Sequence, residues 1–199
     1  MSPVRDPDVT RQKILEVAAE EMRVHGYKAA SLSEILSKAE VSKGALYHHF
    51  ANKQELGYAV FEELYAEECL SRWRGALAQE DVLDGICHML SDFEDQCSDE
   101  DIACGCPVNT ISQEMAAVDD GFQKQTFNMY QRQARMIEEA LLRSSEQGLV
   151  KSGIDCEQTA LFIVAGFQGI ASMMKASRSR ETLHKLHAGL ADYVQHLRA

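Results

Sequence analysis

The sequence predicts an all-α protein of about nine helices, with a three-helix N-terminal head and a C-terminal helical bundle. The 199 residues contain only three prolines and twelve glycines. Apolar residues recur at spacings of three and four along most of the chain, and no stretch alternates polar and apolar residues as a β-strand does. Hydrophobic residues make up 45% and charged residues 26% of the chain, which is typical of a folded globular protein. This length corresponds to one large domain or two small ones.

The first three helices are short, and each has a recognisable start or stop in the sequence. Asp8 can cap the first helix, and Gly26 can end it in a left-handed conformation. Ser31–Glu34 has the spacing of a capping box, and a tight turn leads to Ser42, which can cap the third helix. The predicted ranges are 8–24, 31–39 and 43–50.

Six longer helices are expected in the rest of the chain. A second capping box, Asn52–Glu55, begins the first of them, Pro107 suits the first turn of another, and Asp155 can cap a third. The acidic stretch Ser98–Asp101 is expected to interrupt the helical pattern. The predicted ranges are 53–78, 82–97, 107–119, 122–147, 155–176 and 180–197.

The distribution of charge differs between the two parts of the chain. The net charge of −11 argues against a protein that coats nucleic acid non-specifically. Residues 1–53, however, carry eight basic and seven acidic side chains, whereas residues 54–199 carry twelve basic and twenty-four acidic ones. Residues 41–53 contain two lysines, two histidines and no acid. An acid-free segment is what contact with DNA phosphates requires, although an ordinary solvated helix face is the alternative.

Three short helices with a tight turn between the second and third are typical of a helix-turn-helix. The N-terminus of the third helix, at Ser42, is a ready phosphate site. Lys43 can reach base edges or phosphate, Gly44 allows close approach of the backbone, and Tyr47 and His48 project from the polar side.

The N-terminal segment resembles the TetR/AcrR family of bacterial transcriptional regulators. The matching runs are Thr10–Leu15, His25–Tyr27, Ser31–Ala39, Val41–Phe50, Asn52–Lys53 and Leu56. Serine stands at positions 31 and 33 where threonine is common in the family, and Met22 stands where an aromatic residue is common. The resemblance implies a homodimeric, ligand-responsive repressor. Its residues 8–68 would bind a palindromic DNA operator through a helix-turn-helix at about 31–50, and residues 69–199 would bind a small-molecule effector and dimerise.

The resemblance also implies which residues of the head contact DNA. We expect Lys43, Gly44 and His48 near the bases and the other contacts at phosphates, with His49 either packed or at the backbone. Leu46 and Phe50 are expected in the core. The expected DNA-contacting residues are Ser31, Ser33, Ser42, Lys43, Gly44, Tyr47, His48 and Lys53.

The dimer interface is expected on the last two helices, because small residues four apart allow close helix packing. The alternative for these stripes is an intramolecular core. The predicted interface residues are Phe162, Gly166, Gly169, Ile170 and Met173 on one helix, and Leu183, Leu186, Leu190 and Tyr193 on the other.

The effector pocket is expected among adaptable apolar side chains of the body, although such residues at helical spacing also serve as plain core. Arg132 and Arg135 could meet an acidic ligand or simply face solvent. The predicted pocket residues are Trp73, Met89, Phe93, Met115, Phe127, Met129, Tyr130 and Phe167.

The run Cys104-Gly105-Cys106-Pro107 is the most unusual local feature. Cys106 falls at a helix N-cap, where the helix dipole would lower the pKa of its thiol. Three interpretations compete: a repressor that senses oxidants or electrophiles through Cys104 and Cys106, a soft-metal site with His88, or packing at a helix start. The acids at 99–101 would oppose thiolate formation.

Several other classes of protein are not expected. The chain has no P-loop, no G-x-S-x-G and no H-E-x-x-H motif, so an enzyme is a distant alternative, as is a helical interaction protein without DNA binding. Met1–Asp8 is not a signal peptide, and no run of about 20 apolar residues predicts a membrane span. We therefore expect a cytoplasmic protein with free cysteines and without a cofactor or a bound metal.

Overall fold

The structure, a computed structural model, describes residues 7–199, which form helices joined by short loops. The segment Met1–Asp8, which is not expected to be a signal peptide, lies largely outside this range, since residues 1–6 are not described. The head contains α1 (Pro7–His25), α2 (Leu32–Ala39), α3 (Lys43–His49) and α4 (Lys53–Val60). A π-helical segment, Phe61–Ala66, continues into α5 (Glu67–Leu77). The body adds α6 (Val82–Gln96), α7 (Asp99–Cys104), α8 (Pro107–Met115), α9 (Asp120–Glu146), α10 (Cys156–Ser177) and α11 (Arg180–Gln195).

The all-α prediction is confirmed, and each of the nine predicted helices is present. α4, the π-helical segment and α5 together form the helix predicted at 53–78. The short helix α7 lies where a break was predicted, because Ser98 and Asp101 form a reciprocal capping box that starts a new helix. Among residues 7–199, β-type pairing is limited to one isolated bridge between Val150 and Arg198.

Side-chain caps define most helix starts. Ser31, Ser42, Asn52 and Asp155 each accept a hydrogen bond from the backbone N–H three residues later. Asp8 does not cap α1, because the helix already includes Pro7. These caps satisfy N–H groups that have no partner inside their own helix.

The turn between α2 and α3 closes through a left-handed residue. Glu40 has φ 53°, and its N–H bonds back to α2. The Val41 N–H donates to the Leu36 carbonyl (3.2 Å). This closure satisfies the last carbonyls of α2 and directs the chain into α3.

The molecule has two hydrophobic cores. The head core surrounds α1 and extends to α8 and the start of α9 through Val108, Ile111 and Phe122. The body core joins α5, α6, α9, α10 and α11 around Trp73 and Ile137. Cys69, Tyr130 and Met136 pack against both cores and so mark the boundary between them.

The π-helical segment leaves a trace in the buried pattern of the long helix. Val60 and Tyr65 are buried five residues apart, and so are Phe61 and Ala66, whereas an α-helix would space them by three or four. The Tyr65 hydroxyl donates to the Ala19 carbonyl of α1 (2.5 Å). This segment therefore joins the head to the body without breaking the helix.

α10 is long and apolar enough to cross a membrane by length and composition alone. In the structure it packs between α9 and α11 as part of the body. Ala160 and Ile163 face the body core and are fully buried. These contacts identify α10 as a packed helix of the bundle.

Candidate DNA-binding site and effector domain

The exposed face of α3 carries most of the predicted DNA-contacting side chains. Ser42, Lys43, Gly44, Tyr47 and His48 are all exposed. The ammonium of Lys43 lies 5.8 Å from the centre of the Tyr47 ring, so the two side chains cover the same patch of surface. No acidic residue lies between positions 41 and 53 to repel a phosphate backbone.

The opposite face of α3 attaches the helix to the head. Leu46 is fully buried and Phe50 is 4% exposed, which confirms the expectation that both are core residues. Arg11 of α1 lies over the Phe50 ring at 5.3 Å. Because α3 is held from behind by the core of α1, its polar face has a fixed orientation.

The start of α2 provides a second polar surface beside α3. The hydroxyls of Ser31 and Ser33 are 2.7 Å apart, and Ser33 is exposed. Ser31 also caps α2. The free N–H groups of a helix N-terminus favour an anion such as phosphate.

Lys53 is used inside the head. Its ammonium donates to the carbonyls of Ala30 (2.6 Å) and Lys28 (3.1 Å), and lies 5.0 Å from the centre of the Tyr27 ring. Burial lowers the pKa of this ammonium. The side chain thus holds the α1–α2 loop against α4, and one of its three N–H groups is left for the predicted phosphate contact.

A groove of about 400 Å³ adds the start of α1 to the same face. Pro7 and Thr10 line it together with Ser42, His48 and His49. The sequence analysis did not assign DNA contacts to the start of α1. The run Thr10–Leu15 indicates the family resemblance, and it is the feature of the sequence that could have predicted a contact by Thr10.

Several contacts fix the head on the body. Phe122 at the start of α9 stacks edge-on against Tyr27 and Tyr58, each at 4.7 Å. The Tyr58 hydroxyl donates to Asp119 (2.6 Å), and this bond raises the pKa of Tyr58 to about 12. Arg23 of α1 pairs with Asp101 of α7 (3.3 Å). The head therefore cannot tilt without disturbing α9 and α7.

The predicted interface residues of α10 and α11 fall into two groups, which differ in how exposed they are. Phe162 and Met173 are 56% and 52% exposed, and Gly169 is also exposed. Leu186 and Tyr193 are partly buried, and the Tyr193 ring packs 4.9 Å from that of Phe162.

The other interface predictions require correction. Leu183, Leu190 and Ile170 are 0–7% exposed and belong to the body core, so they are not available to a second copy. Gly166 packs between the two helices, where an added Cβ would lie 3.4 Å from Leu190. Helical spacing failed here because α10 is apolar around most of its circumference, so spacing alone did not separate the two faces.

The predicted pocket residues do not form one group. Trp73 is buried in the body core, with Met89, Phe93 and Phe167 packed against the same core. Met115 and Met129 belong to the head core, and Tyr130 contacts both cores. Phe127 is 55% exposed and points away from either core, so its assignment to an internal pocket is wrong. Arg132 pairs with Glu62 (3.0 Å) on the surface.

Polar side chains that the sequence analysis missed lie beside these apolar ones. Gln168 of α10 accepts hydrogen bonds from Asn109 of α8 (3.2 Å) and from the Tyr130 hydroxyl (3.3 Å). Ser172 donates to Asn109 (2.9 Å). Gln133, one turn beyond Tyr130 on α9, is completely buried. Glutamine and asparagine are common on helix surfaces, so nothing in the sequence distinguished them.

The surroundings of Cys106 argue against the lowered thiol pKa that its N-cap position predicts. Cys106 is the N-cap of α8 as predicted, and two backbone N–H groups favour its thiolate, but burial outweighs them and raises its pKa. Burial also raises the pKa of the neighbouring Cys69 to about 12. Among residues 7–199, no group of three or more metal-ligating side chains is placed to hold an ion.

Comparison with known proteins supports the assignment of both halves. A model of the bacterial regulatory proteins of the tetR family matches residues 14–60, and a model of the LmrA/YxaF-like transcriptional regulator C-terminal domain matches residues 82–188. The crystal structure of a TetR regulator from Chloroflexus aurantiacus superimposes with a TM-score of 0.85 at 22% identity, covering 98% of each chain.

Two curated relatives extend over most of the chain. The transcriptional repressor DhaR of Mycobacterium sp. strain GP1 is 23% identical over 87% of this chain and 86% of its own. The probable acrEF/envCD operon repressor of Escherichia coli K12 is 26% identical over 93% and 84%.

The fold, the exposed face of α3 and the family models together define a helix-turn-helix transcriptional regulator. The chain belongs to the TetR family of bacterial transcriptional regulators. It is a ligand-responsive DNA-binding protein and not an enzyme. Its second half is similar to the C-terminal domain of the LmrA/YxaF-like members.

Proposed function

We propose that this protein is a cytoplasmic homodimeric repressor that binds a palindromic operator and leaves it when a small molecule binds in the body. The observation that carries the DNA-binding part is the exposed, acid-free face of α3, where Lys43 and Tyr47 lie side by side. The acidic body would repel DNA elsewhere, which limits non-specific binding.

The proposed dimer uses the exposed face of α10. Ala165, Gly169 and Ser172 are small and exposed, and they lie between the exposed side chains of Phe162 and Met173. Small residues let two helices approach closely, while the two larger ones supply apolar area. A two-fold dimer would set its two α3 helices about 34–36 Å apart, one turn of DNA.

The proposed response to ligand follows from the head–body contacts. An effector that binds more tightly to a body with a different head spacing lowers operator affinity by the same free energy. The aromatic contact of Phe122 with Tyr27 and Tyr58 supports transmission, because it links α9 of the body to α1 and α4. The curated names of the Mycobacterium and Escherichia coli relatives, both repressors, support repression as the sign of regulation.

The test begins by selecting bound duplexes from a random pool with the purified full-length protein. Operator affinity is then measured by fluorescence anisotropy for Lys43→Ala and Tyr47→Ala, with Lys185→Ala as a control on the exposed surface of α11. Each head variant is expected to lose about 1–3 kcal/mol, or about 5- to 150-fold, in affinity. The control is expected to bind as the wild type does. The proposal is wrong if no duplex is enriched or if both head variants bind unchanged.

A further inference from the structure

Gln133 lies in the interior of the body with no hydrogen-bond partner. Its side chain is completely buried, and neither its amide nitrogen nor its amide oxygen has a partner. Leaving such a group unpaired costs about 1–3 kcal/mol for each donor or acceptor. A fold that needed only packing at this position would use an apolar side chain of similar volume, such as methionine.

Gln168 of α10, which is bonded to Tyr130 of α9, has a further unused donor. Its amide oxygen accepts from Tyr130 and Asn109, but its amide nitrogen is buried without a partner. Tyr130 and Gln133 are three residues apart on α9 and therefore lie on the same face of that helix. We refer to Asn109, Tyr130, Gln133 and Gln168 as the polar seam: hydrogen bonds join Asn109 and Tyr130 to Gln168, and Gln133 lies about one turn beyond Tyr130 on α9.

The seam borders the aromatic part of the body core. Phe167, next to Gln168, packs edge-on against Trp73 at 5.7 Å. Tyr130 contacts both hydrophobic cores. The seam therefore combines flat apolar side chains with two amide donors and one amide acceptor that have no internal partner, which is the usual composition of a small-molecule site.

The buried polar groups of the body carry no fixed charge. They are Asn109, Thr110, Thr126, Gln133, Ser144, Thr159 and His187. Burial lowers the pKa of His187 and so favours its neutral form. The ammonium of Lys175 donates to Thr110 (3.1 Å), but Lys175 is exposed to solvent. Arg72, the cation beside Cys69 and Cys106, is exposed and paired with Glu68 (2.5 Å). None of the buried groups therefore supplies a counter-ion, and burying an ionic ligand in the seam would be costly.

We propose that the Gln133–Gln168 seam is the polar subsite of the effector pocket and that it selects an uncharged ligand with an aromatic or apolar body and a carboxamide-like group. Gln133 donates to the ligand carbonyl and accepts from its N–H or O–H, while the Gln168 amide donates to the same carbonyl. The inference rests on the proposed function, since it takes the body as the effector domain.

The first test measures thermal unfolding of the full-length protein without any ligand. Gln133→Met keeps the volume and removes both unpaired groups, so its Tm is expected to rise by about 2–4 °C or more. Thr126→Val, which removes a buried hydroxyl that already donates to Phe122 (2.8 Å), is the matched control and is expected not to gain stability. A fall in Tm for Gln133→Met would mean that Gln133 serves the fold, and would overturn the proposal.

The second test uses three probes with one aromatic ring: benzamide, benzoate and benzylammonium. At millimolar concentration, benzamide is expected to raise the Tm of the wild type by about 2 °C and to change the emission of Trp73, the single tryptophan. Thr126→Val is expected to keep this response and Gln133→Met to lose it. The subsite is refuted if a charged probe gives the larger shift, if Gln133→Met responds as the wild type does, or if no probe has an effect.

Operator binding separates the two proposals. Thr126→Val, which leaves the seam unchanged, is expected to bind the selected duplex as tightly as the wild type. If the probes fail while the wild type binds its duplex, only the subsite is wrong. If no duplex is bound, the proposed function fails whatever the probes show.

Discussion

The head and the body carry their polar residues in opposite ways. In the head, the groups assigned to DNA are exposed on a short helix that is held from behind by Leu46 and Phe50. In the body, polar side chains such as Gln133 and Asn109 are buried between long helices. A partner as large as DNA can be met by a convex, rigid surface, whereas a small molecule must be enclosed. The sequence alone therefore predicts the functional residues of the head but not those of the body.

The largest effect is expected from separating the two protomers of the proposed dimer, because this leaves each head to bind DNA alone. Phe162→Glu combined with Met173→Glu places two charges on the exposed face of α10, which we expect to abolish dimerisation. Loss of the second head should weaken operator binding by at least about 100-fold, because bivalent attachment is lost. Sedimentation and anisotropy measure the two effects. Leu142→Glu, at an exposed apolar position of α9, is the control; a dimer that survives both charges would place the interface elsewhere.

A second variant tests whether the head and body unfold together. Phe122 is fully buried against Tyr27 and Tyr58, so Phe122→Ala is expected to reduce the free energy of unfolding by about 3–5 kcal/mol. Denaturant titration should then show the head melting before the body. Phe127→Ala, five residues later and 55% exposed, should cost less than about 1 kcal/mol. Equal losses would contradict the role given to Phe122.

A third change affects the head alone. Glu21 of α1 is 3% exposed and accepts from Lys38 of α2 (2.7 Å), and this bond holds the pKa of Glu21 below its ordinary value. Glu21→Gln is expected to cost about 1–2 kcal/mol. Because the pKa is lowered in the folded state, this stabilisation is present at neutral pH and is lost as pH falls through the acidic range. The exposed pair of Glu181 and Lys185 offers the control: Glu181→Gln should change stability by less than about 0.5 kcal/mol.

The smallest expected effect is the pH dependence of Tm that His187 contributes in the body. His187 is 4% exposed beside Glu94, His184 and the Phe93 ring, and burial outweighs Glu94 and lowers the pKa of His187. The unfolded chain therefore takes up a proton before the folded protein does. Tm should decrease between about pH 7.5 and about pH 5.5. His187→Gln should flatten that dependence; an unchanged slope would assign it to other groups.

The sequence was most informative where local chemistry decides the structure. The caps Ser31, Ser42, Asn52 and Asp155 were found because an N-cap depends on a few neighbouring residues. The core positions of α3 followed from spacing, because that helix has one buried face. The short helix α7 was missed because its acidic capping box looked like a break.

The body was harder to predict, because its sites depend on contacts between distant parts of the chain. Ile170 and Leu190 have the spacing of an interface but pack against their own protomer. Cys106 has the position of an activated thiol, but desolvation in the folded protein outweighs the helix N-terminus and raises the pKa of the thiol. The seam around Gln133 is formed by residues of three helices, and only the tertiary structure brings them together.

The π-helical segment fixes how many residues the long helix must contain between the head core and the body core. An α-helix turns about 100° per residue, so one residue more or fewer rotates everything beyond it by that angle. The five-residue steps from Val60 to Tyr65 and from Phe61 to Ala66 absorb one extra residue and keep both ends of the long helix facing their own cores. The number of residues in this segment therefore fixes the rotation of the body relative to the head about the axis of the long helix. Deleting a single residue between 61 and 66 would turn Trp73 out of the body core unless Tyr65, Ala66 and Leu70 gave up their positions in the head core.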